Sequence, residues 1–394
     1  MLLSRHPYAQ SSGRAVMLRQ RIEQVRRLFE PTIIVFGKRG GGAHDDGLTF
    51  LPLASPIAIA LNAFRYARLP MQTWLYYSRD AHLCISRLAA QTRAKAIYVD
   101  MLRLAPLADG VSGALIIDYD DLLSVRYVRA AARGYDVMGF LSQRVGLLAP
   151  VARMFARPIL RAEAARCAAY ERQMLQVCDL AFFTSAREAK VMGSDKAVAA
   201  PPLMAARPEV SSVGRRLIFL GNMLYAENVS MLRSLADAMP TLAPLAEDVV
   251  IDVIGDYPAA LPDQFDRKRF RFLGRVDDLD SLAGAGVFLA PATSGSGVKL
   301  KVLDGMALGC PVVATPKGME GLSAQAYRAA LTAADPCSVL RTAIALRDRE
   351  ALKLMLARRA QAYVRKTHAM ALGDAVGDAI AAAVAHKQSR QDTL

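Results

Sequence analysis

Residues 290–315 read APATSGSGVKLKVLDGMALGCPVVAT. An apolar run ends at Pro291, and a loop of small residues, Thr293-Ser294-Gly295-Ser296-Gly297, follows it. The spacing predicts a helix from near Val298 to Gly309, with Pro311 just beyond and a second apolar run after it. A glycine past the last helical residue and a proline after that are helix stop signals. Strand, loop, helix and strand make the βα unit from which parallel sheets are built.

The same alternation recurs along the chain. Strand candidates are Thr32–Phe36, Ala96–Val99, Ala114–Ile117 and Leu180–Thr184 in the first half. In the second half they are Leu217–Leu220, Val249–Ile254, Phe270–Leu273, Val287–Ala290 and Pro311–Ala314. Each is a short continuous apolar run, as in strands buried on both faces. Helical patterns intervene at Met17–Phe29, Arg161–Val177, Asn228–Asp237 and Val298–Leu308. Repeated βα units imply doubly wound α/β domains. The 394 residues suffice for two, and Ala197–Arg215, with three prolines and no strong periodicity, is the expected boundary. Two such lobes on a short linker imply a cleft between them as the default ligand site.

Composition narrows the partners. Hydrophobic residues make up 53% and charged residues 22%, which excludes a disordered chain. The formal net charge is +14, of which +11 lies in residues 1–200. A basic half implies an anionic partner: nucleic acid, a membrane surface or a phosphorylated substrate. Aromatic residues are only 7% and carry no RNA-binding signature, so no nucleic acid is expected. The five cysteines form no CxxC pair and the five histidines no ligand spacing. Neither a disulfide framework nor a metal site is expected, and a reducing compartment is. MLLSRHPYAQ at the N-terminus has no signal-peptide pattern, and no run of 18 apolar residues lacks charge. The expected location is the cytoplasm, soluble or peripheral on the inner face of the cell membrane.

The loop and helix of residues 293–309 suit a phosphate ester. Gly295 and Gly297 let backbone N–H groups approach an anion, and a helix N-terminus favours negative charge. Lys301 and Asp304 lie i, i+3 on one face, with Leu300, Leu303 and Ala307 on the adjacent one. Lys301 can neutralise phosphate, and a carboxylate can accept from vicinal hydroxyls. The same spacing also fits a solvated charge pair.

Further motifs accompany this unit in order: LIFLGNM at 217–223 with Glu227-Asn228, DVIG at 252–255, FLGRVDDL at 272–279 and GSGVKLKVLDGMALGCPVVATPKGMEGL at 295–322. Over these residues the second half resembles the nucleotide-sugar-binding lobe of GT-B glycosyltransferases, in particular the retaining family 4 type. The resemblance implies an α/β GT-B fold, two Rossmann-like doubly wound domains facing each other across a cleft. Residues 1–200 would bind the acceptor and 201–374 the donor, and 375–394 would cross back to the first domain. Gly221 and Asn222 would lie beside the donor diphosphate, and Arg275-Val276 at the base. Ser294, Gly295, Ser296, Gly297 and Val298 would contact sugar and phosphates. Lys301 would meet the diphosphate and Asp304 the ribose. Three positions depart from the family. Its two glutamates, with seven residues between them, are replaced by Ser296 and Asp304, which shortens one carboxylate and removes the other. The loop from Gly221 to Asn228 lacks the usual Arg and Lys, so either Lys299 or Lys301 supplies the charge or the donor is held more weakly.

In the first half, ALIIDYDDLLSVRY at 114–127 places Asp118, Asp120 and Asp121 after a strand. Such carboxylates can handle a proton, bind a metal or cap the next helix. Bacterial relatives show a similar pattern of Asp118, Asp121, Ser124, Arg126 and Tyr127, and Asp121 is expected nearest the chemistry. Ser11-Ser12-Gly13-Arg14 follows the first strand. By resemblance it lines the acceptor side, with Gly13 allowing close approach and Arg14 meeting an acceptor phosphate; helix capping by Ser12 fits equally. RAEAARCAAYER at 161–172 reads as a packing helix. Met138–Leu160, with Arg153 and Arg157 among apolar residues, suits an anionic membrane surface or a helix packed on the sheet. GKRGGGAHDDG at 37–47 lacks a Walker ending and reads as a surface loop.

The sequence therefore reads as a metal-independent, retaining hexosyltransferase that needs no cofactor beyond its UDP- or GDP-sugar donor. The acceptor is expected to be a glycan, or a polyprenyl-diphosphate-linked glycan, of bacterial surface polysaccharide synthesis. Catalytic candidates are Asp121, Asp118 and Lys301. A non-catalytic binding subunit and a sugar-nucleotide epimerase or hydrolase of the same fold are the alternatives.

Overall fold

A computed structural model describes residues 1–8, 13–39, 45–133, 149–242, 248–276, 278–295, 297–370 and 374–392, with the backbone alone at 133, 149–155 and 391–392. The chain divides into two compact units. One is Met1–Ala200 with Asp374–Leu394; the other is Pro201–Gly373.

The first unit is built on seven parallel strands: β1 (Leu2–Leu3), β2 (Ile33–Phe36), β3 (Leu48–Leu51), β4 (Ala96–Asp100), β5 (Ala114–Asp120), β6 (Leu180–Phe183) and β7 (Ala197–Ala199). Their order is β3-β2-β1-β4-β5-β6-β7. β5 runs three residues past the expected end at Ile117, so Asp118 and Asp120 belong to the strand itself. Pairing with β6 carries on through a register shift between Asp118 and Asp120, and Tyr119 stacks on Phe183 at 4.7 Å. β7 occupies the start of the stretch expected to be linker. The helix Gly13–Arg26 begins four residues before the expected Met17. One face of the sheet is sealed by the C-terminal helix Asp374–Asp392. Its Val376, Ile380 and Val384 join Tyr98, Ile116 and Phe182 in a common core.

The second unit holds six parallel strands: β8 (Arg216–Leu220), β9 (Ile251–Ile254), β10 (Phe270–Gly274), β11 (Gly286–Ala290), β12 (Val312–Ala314) and β13 (Leu331–Thr332), in the order β10-β9-β8-β11-β12-β13. Residues Leu217, Phe219, Val287 and Leu289 face a core with the helices Ala226–Leu242 and Pro336–Arg347. The alternate residues Ile218 and Phe288 face Val302, Leu303 and Met306 of the helix Leu300–Ala307. Both faces are apolar because both carry helices, which is why these strands read as continuous hydrophobic runs. Both sheets reverse strand order once, the mark of the doubly wound fold.

Candidate functional site

In open parallel sheets, ligands bind beyond the carboxyl ends of the strands where the strand order reverses. In the second sheet that point lies between β8 and β11, which pair directly. β8 delivers Gly221-Asn222, and β11 delivers the loop that leads to Lys299. Topology therefore brings Gly221, Asn222, Ser294, Gly295, Gly297, Val298, Lys299 and Lys301 to one edge of one sheet.

Local contacts fix these loops. Asn228 donates through Nδ2 to the Asn222 carbonyl at 2.7 Å, and its Oδ1 accepts from Lys301 Nζ at 2.7 Å. It lies close under Gly221, where a Cβ would come within 3.1 Å of its side-chain carbon. Asn222 Oδ1 accepts from the Leu224 N–H at 2.9 Å. Gly295 and Gly297 take φ of +90° and +68°, which L side chains rarely adopt. Glu227 reaches this loop, with Ser294 Oγ 3.5 Å from its Oε1. The helix begins at Leu300, two residues later than expected, with Lys299 at the cap position and no side-chain cap bond. Ser, Thr, Asp or Asn normally accepts from the first-turn N–H groups. A lysine cannot, so this helix start is electropositive from both backbone and side chain.

Lys301 and Asp304 are half-buried one turn apart. Burial lowers the Lys301 ammonium to about 8, against the pull of Glu227, while Lys299 lowers it further. The ammonium also sits 5.1 Å from the Phe219 ring centre. Burial raises the Asp304 carboxyl to about 6, with Arg207 opposing. No hydrogen bond or ion pair reaches the Asp304 carboxylate among the described residues. The solvated charge pair is thus excluded: both groups are desolvated and neither neutralises the other. Arg275 is exposed just after β10, and Val276 packs on the core beneath the helix. Ser296 lies outside the described residues.

The first sheet has its own switch point, between β1 and β4, and a buried polar cluster occupies it. Arg14 donates to Asp100 through Nη2 at 2.5 Å and Nε at 2.9 Å. It also lies 3.2 Å from both Asp118 and Asp120. Arg21 Nε is 3.3 Å from Asp118, and Tyr98 donates its hydroxyl to the same carboxylate. Ser4 donates to Asp100 through N–H at 2.9 Å and Oγ at 2.6 Å. Burial raises the cost of every charge in the cluster. The carboxylates nevertheless hold the Arg14 guanidinium well above its usual range, and Arg14 holds Asp100 and Asp118 below theirs. Two guanidinium groups face three carboxylates, and the imbalance falls on Asp120, raised by burial and by Asp121 and Asp118 against the pull of Arg14. Asp120 is also held at φ +63° and keeps part of its side chain in solvent.

Two of the expected site residues are engaged within this unit. Arg14, expected to meet an acceptor phosphate, spends its charge on three aspartates. Asp121, expected nearest the chemistry, is buried and tied to Arg126 at 2.6 Å, while Asp118 is sealed beneath Arg14, Arg21 and Tyr98. The groups not singled out from sequence are Asp100, Arg21 and Tyr98, and Asn228 was quoted only as part of a motif, without a role. Asp100 carried a signal, as the polar end of the apolar run Ala96–Asp100; the others become visible only through their partners. Glu163 and Glu171 of the long helix Ala149–Val177 hold backbone N–H groups of Met71 and Ser124, in keeping with a packing role. Gly13 opens its helix; Ser12 and all of Met138–Leu160 up to residue 148 lie outside the described residues. No group of three or more His, Cys, Asp or Glu among the described residues is arranged to hold a metal ion.

Residues 214–347 match the family model described as "Glycosyl transferases group 1". Comparison with the sequences of curated proteins gives no match. Among solved structures, WaaG, a glycosyltransferase involved in lipopolysaccharide biosynthesis, is similar at a TM-score of 0.58 and 15% identity, over 96% of this chain and 99% of that one. Anabaena Alr3699/HepE in complex with UDP-glucose gives 0.61 at 11% identity, over 99% and 98%. Sucrose-phosphate synthase from Thermosynechococcus elongatus gives 0.60 at 15%, over 100% and 98%. Identities this low speak for the fold, and the fold is common to all three over nearly their full length. The chain has the fold of the GT-B glycosyltransferases, and its residues 214–347 match the group 1 glycosyl transferase model.

Proposed function

We propose that this protein is a retaining glycosyltransferase that moves a hexose from a nucleoside diphosphate sugar to a glycan or lipid-linked glycan of a bacterial surface polysaccharide. The observation that carries the reading is the pair Lys301 and Asp304. Both are desolvated on one helix beyond the switch point, one seeking an anion and the other a hydrogen-bond donor. A nucleoside diphosphate offers both, phosphates for Lys301 and ribose hydroxyls for Asp304. The family match at residues 214–347 supports this, as do the UDP and UDP-glucose complexes of the similarly folded HepE.

In the reaction the bond from the anomeric carbon to the diphosphate oxygen breaks, and an acceptor hydroxyl oxygen bonds to that carbon. Negative charge grows on the leaving diphosphate, where Lys301, Lys299 and the uncapped start of the helix Leu300–Ala307 stabilise it. These groups meet the charge without a metal. The acceptor hydroxyl gives up its proton, and Asp120 suits that role better than Asp121, being partly exposed and raised toward neutrality. An acceptor on a polyprenyl diphosphate would place the enzyme on the cytoplasmic face of an anionic membrane, consistent with its basic first unit.

Thermal stabilisation by UDP, GDP, ADP and their sugar conjugates tests the reading. A ligand at 100 times its Kd stabilises by about 2.7 kcal/mol. A selective shift with one nucleotide, lost in Lys301→Ala, is expected. No shift with any of them at millimolar concentration would leave the second reading, a non-catalytic subunit, favoured by the base-free loop from Gly221 to Asn228.

A further inference from the structure

The helix Pro56–Arg65 lies on the surface of the first unit with most of its large apolar residues facing outward. Its inward side carries Asn62 with half-buried Ala58, Ile59 and Ala63. Asn62 is its one buried residue, and Asn62 Nδ2 donates to the carbonyls of Trp74 and Tyr77 at 3.0 and 2.8 Å. Ser55 caps the start by accepting from the Ala58 N–H at 3.2 Å, and Pro56 fits the first turn. The outward face carries Ile57, Leu61 and Phe64, which are 75%, 64% and 90% exposed, with Leu53 at 49% just before the helix. Positions 57, 61 and 64 follow at i, i+4 and i+7, so they form one stripe. A fully exposed phenylalanine flanked by two exposed aliphatic residues has no folding role that would retain it there.

The charges that flank the stripe along the chain share one sign. Arg65 closes the helix at the edge of the stripe and Arg68 follows, both exposed. Neither has a carboxylate partner among the described residues, and Arg65 lies over the Tyr66 ring at 5.8 Å. From Gly47 to Arg79 the sequence contains no Asp or Glu. A protein partner would ordinarily match an apolar stripe with both signs of charge at its rim. An apolar ridge whose neighbours along the chain are the arginines Arg65 and Arg68 matches an anionic lipid surface, where aliphatic and aromatic side chains enter the acyl boundary and guanidinium groups meet phosphates.

We propose that the helix Pro56–Arg65 is the membrane-docking element of this protein, inserting Ile57, Leu61 and Phe64 among anionic phospholipids. This deepens the membrane part of the reading above, which rested on Met138–Leu160 and on net charge, and needs no assumption about sugar transfer.

Co-sedimentation of the full chain with vesicles tests it. With vesicles of phosphatidylglycerol and phosphatidylethanolamine, the wild-type chain should partition strongly, and weakly with phosphatidylcholine alone. The triple variant Ile57→Ser, Leu61→Ser, Phe64→Ser should lose on the order of tenfold or more of that partitioning. Arg65→Gln with Arg68→Gln should lose less, and its residual binding should resist salt. The substituted side chains are exposed, so an unchanged melting curve is the check on folding. Equal vesicle binding by the triple variant and the wild type would overturn the proposal. So would a wild-type dimer in solution that the triple variant dissociates, because a second copy would then cover the stripe. Nucleotide-induced stabilisation of the same samples is read separately. Loss of vesicle binding with nucleotide binding intact bears on the helix alone, and the reverse bears on the donor site alone.

Discussion

At the scale of single residues, the donor site is defined by two charges that the fold keeps at a cost. Lys301 is held at about 8 and Asp304 at about 6, in both cases chiefly by burial. Lys301 lies below its unfolded value, so its penalty is fully present below pH 8 and relaxes as pH rises toward 10. Asp304 lies above its unfolded value, so its penalty is absent at pH 4 and complete above pH 6. Between about 6 and 8 the empty site therefore bears both penalties. A nucleoside diphosphate sugar needs the protonated lysine and the ionised carboxylate, and finds both in that same window. Donor affinity should be flat between about pH 6 and 8 and fall toward either side, by up to tenfold per pH unit. Titration calorimetry with a sugar conjugate measures this cleanly, since a diphosphate diester keeps its charge throughout. An affinity that rises monotonically from pH 6 to 9 would remove Lys301 from the phosphate contact. Lys301→Met should likewise raise the melting temperature of the unliganded protein at pH 7, by about 2–4 °C for each kcal/mol of relieved burial.

At the scale of elements, the site depends on loops that pack closely on one another. Gly321, at φ +85°, lies under the donor loop. A Cβ there would come within 2.9 Å of Val298 Cγ2 and 3.1 Å of the Val298 nitrogen. Gly321→Ala should push the Gly297-Val298 backbone outward and weaken nucleotide binding about tenfold or more, at a stability cost of about 1–3 kcal/mol. Parallel titrations and urea melts separate the two effects; unchanged affinity would mean the loop is not a ligand contact. The loop and its helix were legible from residues 290–315 because glycine, helix period and proline stop signals coincide there. The central strands, apart from the two-residue β1, were legible because they are buried on both faces. β3, β7 and β13 were not, because edge strands of two to four residues, mostly half-buried, carry no long apolar run. The cluster around Arg14 was misread for a different reason. A guanidinium beside a glycine looks like an anion site until its partners are known, and Asp100, Asp118 and Asp120 lie 86 to 106 residues away in sequence. The helix Pro56–Arg65 was passed over because alternate apolar and small residues do not reveal which face points outward.

At the scale of the whole molecule, the chain closes its first unit with its last helix. Val376, Ile380 and Val384 recur at helical spacing and fill a core formed by residues far earlier in the chain, among them Tyr98, Ala114 and Ile116. Lys387 adds an ion pair to Asp179 at 3.3 Å, and Arg27 one to Asp374. The ion pairs are exposed or half-exposed and contribute little. The three apolar side chains are worth about 1.5–3 kcal/mol each. Their sum, on the order of 5 kcal/mol, equals the lower end of an ordinary domain's stability. A chain ended after Gly373 should therefore lose the first unit while the second, whose sheet and cores contain nothing from that helix, keeps its structure. Calorimetry should show one transition in the truncated chain, still raised by the nucleotide that raises it in the full chain. Ile380→Ala, which leaves the helix in place, should lower the melting of the first unit by an amount matching about 2–5 kcal/mol. If the truncated chain melts as the intact one does, the last helix rests on the first unit without holding it.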